Sequence, residues 1–488
     1  TINYTATDTR GNSTLCTFDV NRFQLPVAHA GLDTTVCYDE GAFLGGDPTG
    51  TNGVGLNYQY IWLPTNMVDD PTASNPQTVD LTSNQSFMVL VIDQVSGCAA
   101  TDHVTIRISD PTLGVAVKWH QKLNIDSGGF PGTAHLTGGD NVGIDVAVIG
   151  DLDDDGIDDA VVGAAKDDDG SSNSGAVYIL FMNADGTVRE WQKISSTQGN
   201  FNVSMGDDWF GYGVAGIGDL NGDNVEDIAV TAMQDDDGGL DRGAVYILFL
   251  NTDGTVNTHQ KISMTEGGFG GSLRFLDRFG ASVDAIGDVN GDGVTDIAVG
   301  VQRDDDDFGG PLNEDRGSVW VIMLNSDGTV VSEQKIGYNV GGMGTDLDKK
   351  DFFGEGVAGP GDINGDGIPD LVVGAPEDDD GGKNRGAIYA IFLDTDGTAK
   401  SYQKISSNSG GGQAITLTNN DLFGYGIAAV GDINDDNVPD IVVGAPFDDD
   451  EDKDAGAVWI IYLDFDGTLK SVDKISQTTG SFVGEWDK

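Results

Sequence analysis

Two hydrophobic patterns divide the chain. From Thr1 to about Asp110, short runs rich in Val, Ile, Thr and aromatics (INYTATD, STLCTFDV, YQYIW, SFMVLVID, HVTIRI) alternate with Gly, Asn, Asp and Pro. β-Branched and aromatic residues suit a pleated, half-buried surface, and the residues between them suit turns, so this part predicts β-sandwich strands. Beyond it the apolar runs become continuous: AVVGAA, IAVTAM, IAVGVQ, LVVGAP and IVVGAP, each followed by GAVYILFM, GAVYILFL, GSVWVIML, GAIYAIFL or GAVWIIYL. Continuous short runs predict strands buried on both faces. Neither part shows a helical period.

The second pattern repeats. An acidic stretch begins at Asp151, Asp219, Asp288, Asp362 and Asp432, at spacings of 68, 69, 74 and 70 residues. Before it stands a further strand (VGIDVAVIG, FGYGVAGIG, FGASVDAIG, FGEGVAGPG, FGYGIAAVG). After the two apolar runs come an x-D-G-T hairpin turn and a strand containing QKIS, QKIG or DKIS. Four strands per unit and no helix predict radially stacked blades. The fold class expected is therefore all-β: a β-propeller of four-stranded blades, preceded by immunoglobulin-like β-sandwich modules. Five blades are visible, at about 136–195, 207–263, 277–336, 351–406 and 421–476. Trp119–Asn124 (WHQKLN) matches the QKIS strand but has no blade before it, so it reads as a displaced fourth strand. Its blade would be completed by chain beyond Lys488. QTTGSFVGEWDK at the end matches an inter-blade linker, so one or two blades are expected to be missing.

The recurring Phe210-Gly211, Phe279-Gly280, Phe353-Gly354 and Phe423-Gly424, the acidic loop, and Gly374-Ala375-Pro376 and Gly444-Ala445-Pro446 resemble the FG-GAP repeats of integrin α-subunit propellers and bacterial relatives. Blade one departs, with Val142-Gly143 in place of Phe-Gly. The resemblance covers about 113–488 and implies seven blades in the full protein. Residues 1–25 resemble the last strands of a HYR-like repeat. Residues 26–112, with Cys37, Trp62 and Cys98 in that order, resemble a PKD-like repeat of bacterial surface proteins. The resemblance to a sandwich core implies a Cys37–Cys98 disulfide against Trp62 and an oxidising setting, leaving Cys16 over.

The acidic stretch has the form D-x-[DN]-x-D-[GN]-hydrophobic-x-D. Side-chain oxygens at positions 1, 3, 5 and 9 and a carbonyl at position 7 describe a shortened EF-hand-like Ca²⁺ loop. The candidate ligands are Asp151, Asp153, Asp155, Ile157 and Asp159; Asp219, Asn221, Asp223, Val225 and Asp227; Asp288, Asn290, Asp292, Val294 and Asp296; Asp362, Asn364, Asp366, Ile368 and Asp370; and Asp432, Asn434, Asp436, Val438 and Asp440. About five Ca²⁺ are expected, one per blade. Without His or Cys the loops disfavour Zn²⁺. Position 6 (Gly156, Asn224, Gly293, Gly367, Asn437) is expected to be left-handed. A second acidic run follows each second strand: Asp167–Asp169, Asp235–Asp237, Asp304–Asp307, Asp378–Asp380 and Asp448–Asp450. These runs are expected on the rim near the first loops, either solvated or sharing ions. Lys193, Lys261, Lys335, Lys404 and Lys474 in the fourth strands are expected to pair with blade-edge carboxylates.

Charge then narrows the function. With 25 Lys+Arg against 80 Asp+Glu, the net charge is −55, which argues against nucleic acid and anionic membranes as direct partners. No long apolar run predicts a membrane span, and no nucleophile, zincin or phosphate-loop motif predicts catalysis. The expectation is a non-catalytic, calcium-binding protein of the secreted or cell-surface space, of bacterial type. It would serve adhesion or surface assembly through an unknown extracellular protein or glycan ligand. A lectin-like propeller attached to an enzyme, and a structural element of a surface filament, are the alternatives.

Overall fold

The structure is a computed structural model and describes residues 2–7, 9–10, 13–18, 25–31, 34–37, 41–46, 48–52, 57–79, 81, 85–109, 117, 119–124, 127–130, 138–305, 314–410, 415–450 and 453–480. The start of the first expected blade, Asp306 and Asp307 of the third acidic run, and the tail 481–488 lie outside the described residues. The chain divides into two compact units, Thr1–Gly114 and Val115–Lys488.

In the first unit, Ile2–Thr7 and Ser13–Phe18 form an antiparallel hairpin. Thr34–Cys37, Ala99–Ser109, Gln85–Asp93 and Tyr58–Leu63 form a four-stranded sheet in that order, and Pro26–Ala28 pairs with Gly50–Asn52. Burial alternates along Gln85–Asp93, as expected of a strand with one face on a core. That core holds Trp62, Phe87, Val89, Val91, Val104 and Ile106. Trp62 Nε1 donates to the Ala73 carbonyl at 3.1 Å. The expected disulfide does not form, and Cys98 is a free thiol. Thr34–Cys37 pairs in parallel with the long strand and sets Cys37 opposite Ser109. Cys98 immediately precedes Ala99, at the other end of that 11-residue strand. At about 3.3 Å per residue the two backbones are about 30 Å apart, far beyond disulfide reach. The side chains of Cys16 and Cys37 lie outside the described residues.

The second unit is a β-propeller. Its blades are Val142–Gly150, Asp159–Ala164, Ala176–Met182 and Val188–Ser195; Phe210–Gly218, Asp227–Ala232, Ala244–Leu250 and Val256–Ile262; Val283–Gly287, Asp296–Val301, Ser318–Leu324 and Val330–Gly337; Val357–Gly361, Asp370–Ala375, Ala387–Leu393 and Ala399–Ser406; and Ile427–Gly431, Asp440–Ala445, Ala457–Leu463 and Leu469–Ile475. Each is antiparallel, with strand order following chain order. The first strands of successive blades pack on one another and so form the inner wall. Second and third strands are buried on both faces; Ala244–Leu250 is buried at all seven positions. Four apolar cores lie between successive blades. The one between blades one and two joins Val161, Ile179, Phe210, Val230 and Leu248.

The Phe-Gly and Gly-Ala-Pro signatures have one physical explanation. Phe210, Phe279, Phe353 and Phe423 are fully buried in the inter-blade cores. A Cβ on Gly163, Gly300 or Gly374 would lie 2.1, 1.9 or 1.9 Å from the carbonyl oxygen of Gly211, Gly354 or Gly424 in the next blade. Backbones of adjacent blades touch there, and only glycine leaves room. Blade two carries Thr231 at this position, and its hydroxyl accepts the Gly213 N–H at 2.8 Å instead.

Each fourth strand is also clasped by the linker of the preceding blade. Val256, Val330, Ala399 and Leu469 donate their N–H to Gly199, Gly267, Gly341 and Gly410 at 2.8–3.1 Å. Val188 of blade one donates to Gly128, and Val117 donates to Gly480. Trp119–Leu123, expected as a displaced fourth strand, forms no ladder with any strand among the described residues.

Candidate metal loops and the acidic loops opposite them

The antiparallel order puts the two acidic loops of a blade at opposite ends. The loop after the first strand shares its end with the D-G hairpin; the run after the second strand lies at the other end. The expectation that the two sets neighbour each other is therefore wrong. A six-residue strand, about 20 Å long, separates them.

In the first loop, position 1 organises the turn. Asp151 accepts the N–H groups of Asp155 (2.9 Å) and Gly156 (2.7 Å). Asp219 accepts those of Gly222, Asp223 and Asn224, and Asp288, Asp362 and Asp432 repeat the pattern. Position 6 is left-handed in all five loops, with φ of 89°, 63°, 89°, 89° and 66°, which is why only Gly and Asn occur there. Position 4 is left-handed as well, from Asp154 at 60° to Gly222 at 79°; the sequence pattern does not announce this. Val225, Val294, Ile368 and Val438 at position 7 pack into the inter-blade cores.

Position 9 has a second role that the sequence pattern does not reveal. Asp159, Asp227, Asp296, Asp370 and Asp440 are buried. One oxygen of each accepts the N–H of position 2, from Leu152 (3.2 Å) to Ile433 (3.1 Å). The other accepts the N–H at the end of the third strand: Met182, Leu250, Leu324, Leu393 or Leu463, at 2.9–3.3 Å. These aspartates staple the loop to the sheet. Burial pushes the Asp227 and Asp370 carboxyls up to about 7 and that of Asp296 to about 6; the backbone donors oppose the rise.

The carboxylates of Asp151, Asp153 and Asp159 present oxygens within 4.8 Å of one another. Asp153 Oδ1 is buried without a hydrogen-bond partner. A converging, oxygen-only donor set with an orphaned buried oxygen fits a hard divalent cation. In the other four blades Asn221, Asn290, Asn364 and Asn434 replace the position-3 aspartate with an amide, whose oxygen is an equally hard donor.

The second acidic runs are solvated in part: the first aspartate of each is buried, whereas Asp168, Asp236, Asp379 and Asp449 in the middle are exposed. Each closes on the fourth-strand lysine of its own blade. Lys193 Nζ lies 2.8 Å from Asp167 and 2.7 Å from Asp169, with its side chain 4% exposed. Lys261, Lys404 and Lys474 repeat this with Asp235 and Asp237, Asp378 and Asp380, and Asp448 and Asp450. Lys335 pairs with Asp304. The expected lysine pairing thus holds, with the second run as partner. Lys193, Lys261, Lys404 and Lys474 also lie over Tyr178, Tyr246, Tyr389 and Trp459 at 4.8–5.6 Å. Burial would lower the Lys261 pKa, but Tyr246, Asp235 and Asp237 reverse this and hold the ammonium charged. The middle aspartates cap the loop: Asp168, Asp236, Asp379 and Asp449 accept an N–H five residues on at 2.7–3.0 Å. A further aspartate, two residues before each Phe-Gly, is buried nearby in blades three to five: Asp277, Asp351 and Asp421. Burial first, then the charge of Asp304 or Asp378, pushes Asp277 and Asp351 up to about 7.

The inner strands enclose a cavity of about 480 Å³ that Asp145, Tyr212, Asp284, Glu355 and Tyr425 help to line. Asp145 accepts the Val214 N–H at 2.8 Å and Asp284 accepts the Gly359 N–H at 3.0 Å, each tying one blade to the next. His259 packs edge-on to Phe201 at 5.2 Å, a structural placement.

Residues 210–248, 279–322, 353–391 and 423–461 match the FG-GAP repeat. These are blades two to five; blade one, with Val142-Gly143, is not matched. The chain is 31% identical over 258 residues to integrin alpha pat-2 of Caenorhabditis briggsae, covering 49% of this chain and 18% of that protein. It is 37% identical over 106 residues to human integrin alpha-6, covering 20% of this chain and 9% of that one. The chain thus spans less than a fifth of the length of these curated relatives. A solved quinonprotein alcohol dehydrogenase-like protein from Bacteroides thetaiotaomicron aligns over 91% of this chain and 94% of its own, with 11% identity and a TM-score of 0.29. The molecule is a β-propeller in which four blades match the FG-GAP repeat and part of which is similar in sequence to integrin α subunits, and among the described residues no helix is long and apolar enough to cross a membrane.

Proposed function

We propose that this chain is a non-catalytic, calcium-stabilised surface module that acts in extracellular adhesion or assembly. Its propeller would hold about five Ca²⁺, one per first loop, and its N-terminal unit would serve as an immunoglobulin-like spacer. The observation that carries the calcium reading is the convergence of Asp151, Asp153 and Asp159, with Asp153 Oδ1 left unpartnered. The side chains at positions 1, 3, 5 and 9 would hold the ion, joined by the position-7 carbonyl. Bound Ca²⁺ supplies positive charge where carboxylates otherwise repel, and it binds only folded loops, so it adds to folding stability. The integrin α relatives support the adhesion reading and suggest a protein or glycan ligand.

The test is a thermal melt in EDTA, with Ca²⁺ or Mg²⁺ then restored, together with calorimetric titration. The expected result is a melting temperature at least about 10 °C lower in EDTA, recovered by millimolar Ca²⁺ and less well by Mg²⁺. About five equivalents should bind. An EDTA melt identical to the Ca²⁺ melt would reject the proposal.

A further inference from the structure

We propose that the lysine end of the central cavity binds an acidic saccharide, whose carboxylate or sulfate lies between Arg278 and Arg303. The inference rests on the adhesion reading above and deepens it by naming a ligand class. Its first support is backbone strain at that end. The residue before each Phe-Gly or Val-Gly is left-handed in all five blades: Asn141, Trp209, Arg278, Phe352 and Leu422 have φ of 53–62°. Asparagine adopts this backbone cheaply; Trp, Arg, Phe and Leu do not. A strained backbone that carries a different side chain in each blade is kept for those side chains.

The second support is a pair of unspent guanidiniums. Arg278 precedes Phe279, and Arg303 precedes the second acidic run of the same blade. Nε of each is buried without a hydrogen-bond partner, and among the described residues neither forms an ion pair. In a chain with 80 acidic residues against 25 basic ones, two neighbouring arginines without partners stand out. Burial, then the charge of Arg303, pulls Arg278 below the usual guanidinium range. The carboxyls within electrostatic reach do not neutralise the pair. Burial pushes Glu355 up to about 7, although Tyr425, Arg303 and Arg278 oppose the rise. Burial raises Asp241 and Asp315 as well. A guanidinium in direct contact with any of these would hold it low. Buried donors left open on two adjacent guanidiniums call for an oxyanion, which accepts parallel N–H bonds from such a fork.

The surroundings of the pair favour a sugar as the carrier of that oxyanion. Tyr212 donates a hydrogen bond to Tyr425, and Tyr425 donates to Glu355. This row of donors and acceptors suits the hydroxyl groups of a saccharide. Trp209 stacks on Tyr212, with ring centroids 6.1 Å apart and planes at 27°, and Lys166 lies over Trp209 at 4.5 Å. Flat aromatic surface beside a few polar anchors seats the apolar face of a pyranose. Tyr212, Glu355 and Tyr425 line the cavity of about 480 Å³. That space takes about two sugar rings. The end of a polysaccharide chain can enter it, whereas the face of a folded acidic protein cannot.

The test is calorimetric titration of the Ca²⁺-loaded chain with trigalacturonate, trimannuronate, a sulfated galactose trisaccharide and neutral maltotriose. At least one acidic trisaccharide should bind saturably and maltotriose should not. Preference between the uronates and the sulfated sugar identifies the anchoring group as carboxylate or sulfate. Arg278→Asn and Arg303→Gln should each weaken binding at least about tenfold. Both variants should keep the fold, because Asn141 and Gln234 hold the same places in blades one and two, and an unchanged melt checks this. Lys453→Gln, which removes an exposed cation from the second loop of blade five, should bind like the parent. No binding of any acidic trisaccharide at millimolar concentration, equal binding of maltotriose, or binding that survives both arginine substitutions together would overturn the inference. So would equal binding of hexaglutamate, because the site would then read acidic peptides. The EDTA melt is read on the same protein. Loss of sugar binding with the EDTA effect intact rejects this inference alone, and sugar binding without an EDTA effect rejects the calcium reading alone.

Discussion

The two acidic loops of a blade carry similar charge but relieve its repulsion in different ways. At the end holding the second run, a buried ammonium sits among the carboxylates; Lys193 bridges Asp167 and Asp169. At the other end no ammonium is buried among the described residues. Blades one, four and five place Arg189, Lys400 and Lys470 against the position-5 aspartate, and these cations stay 36%, 53% and 44% exposed. Blades two and three have Asn257 and Val331 at that place. A lysine built into the fourth strand makes one end of each blade independent of solution ions. The other end depends on an ion the chain does not contain.

The largest expected effect comes from removing the internal cation. Lys193→Met would leave Asp167 and Asp169 facing each other in a buried site. Breaking a buried pair by deleting one partner costs about 3–5 kcal/mol. Denaturant unfolding of the variant in saturating Ca²⁺ should show most of that loss, because the loop lacks an ion-binding turn. Full rescue by Ca²⁺ would mean the two ends are interchangeable, and the comparison would fail.

Next is the pH dependence of the ion-free protein. Burial raises Asp227 and Asp370 to about 7 and Asp296 to about 6, against 3.8 for an ordinary aspartate carboxyl. Between those values the folded state binds more protons than the unfolded state. The stability these groups contribute is therefore full below about pH 4 and is lost as pH rises through 6 to 7. Asp169, Asp237 and Asp450 behave oppositely. Burial works against them, but the lysine ammonium and hydroxyl donors outweigh it and hold them below the usual carboxylate range. Their contribution is present above about pH 4 and is lost on further acidification. Melts in EDTA should thus peak on the acid side of neutrality and fall by several degrees by pH 8. With Ca²⁺ the neutral-side fall should shrink to the part owed to Asp277 and Asp351, which lie at the lysine end of the blade and are also raised to about 7. A flat EDTA profile from pH 5 to 8 would remove the contrast.

How far these sites could be read from sequence depends on whether their cause is local. The left-handed position 6 was legible because only Gly and Asn stand there in five copies. The blades were legible because the acidic loop and the Asp-Gly-Thr turn recur in register in all five units, with Phe-Gly opening four of them. The lysine partners were half legible: the recurring QKI lysine announced an ion pair, but only the sheet order shows that Asp167 shares its end of the blade. Asp277, Asp351 and Asp421, two residues before Phe-Gly, carried a repeat signal that went unread beside the denser acidic runs. The Cys37–Cys98 expectation failed because parallel pairing of Thr34–Cys37 with Ala99–Ser109 is a long-range register that no local pattern encodes. The double duty of position 9 was hidden because its second donor lies 23 residues away, at the end of the third strand.

That double duty gives the third prediction. Asp227→Asn removes a carboxylate oxygen that accepts the Leu250 or Leu220 N–H, so it should destabilise by about 1–3 kcal/mol even in EDTA. Asp223→Asn, at exposed position 5, should leave the EDTA melt unchanged and lower only the Ca²⁺-dependent gain. Equal behaviour of the two variants in EDTA would show that position 9 is a ligand without being a staple.

The smallest effect separates the first loops from one another. Arg189 bonds both Asp153 and Asp155 in blade one, so it competes with a cation for the same oxygens. An exposed pair of this kind is worth about 0.2–1 kcal/mol. Arg189→Gln should therefore tighten Ca²⁺ binding at blade one by no more than about fivefold. It should also steepen the salt dependence of the EDTA melt, because the carboxylates of this loop lose a counter-charge. Asn257→Arg in blade two should do the reverse, giving that loop a resident cation 34 residues beyond Asp223 and weakening its Ca²⁺ site by a similar factor. Calorimetric titration of both variants reads the two shifts directly. Shifts of the same sign would show that the strand-four cation does not compete with the ion, and that the first loops differ for another reason.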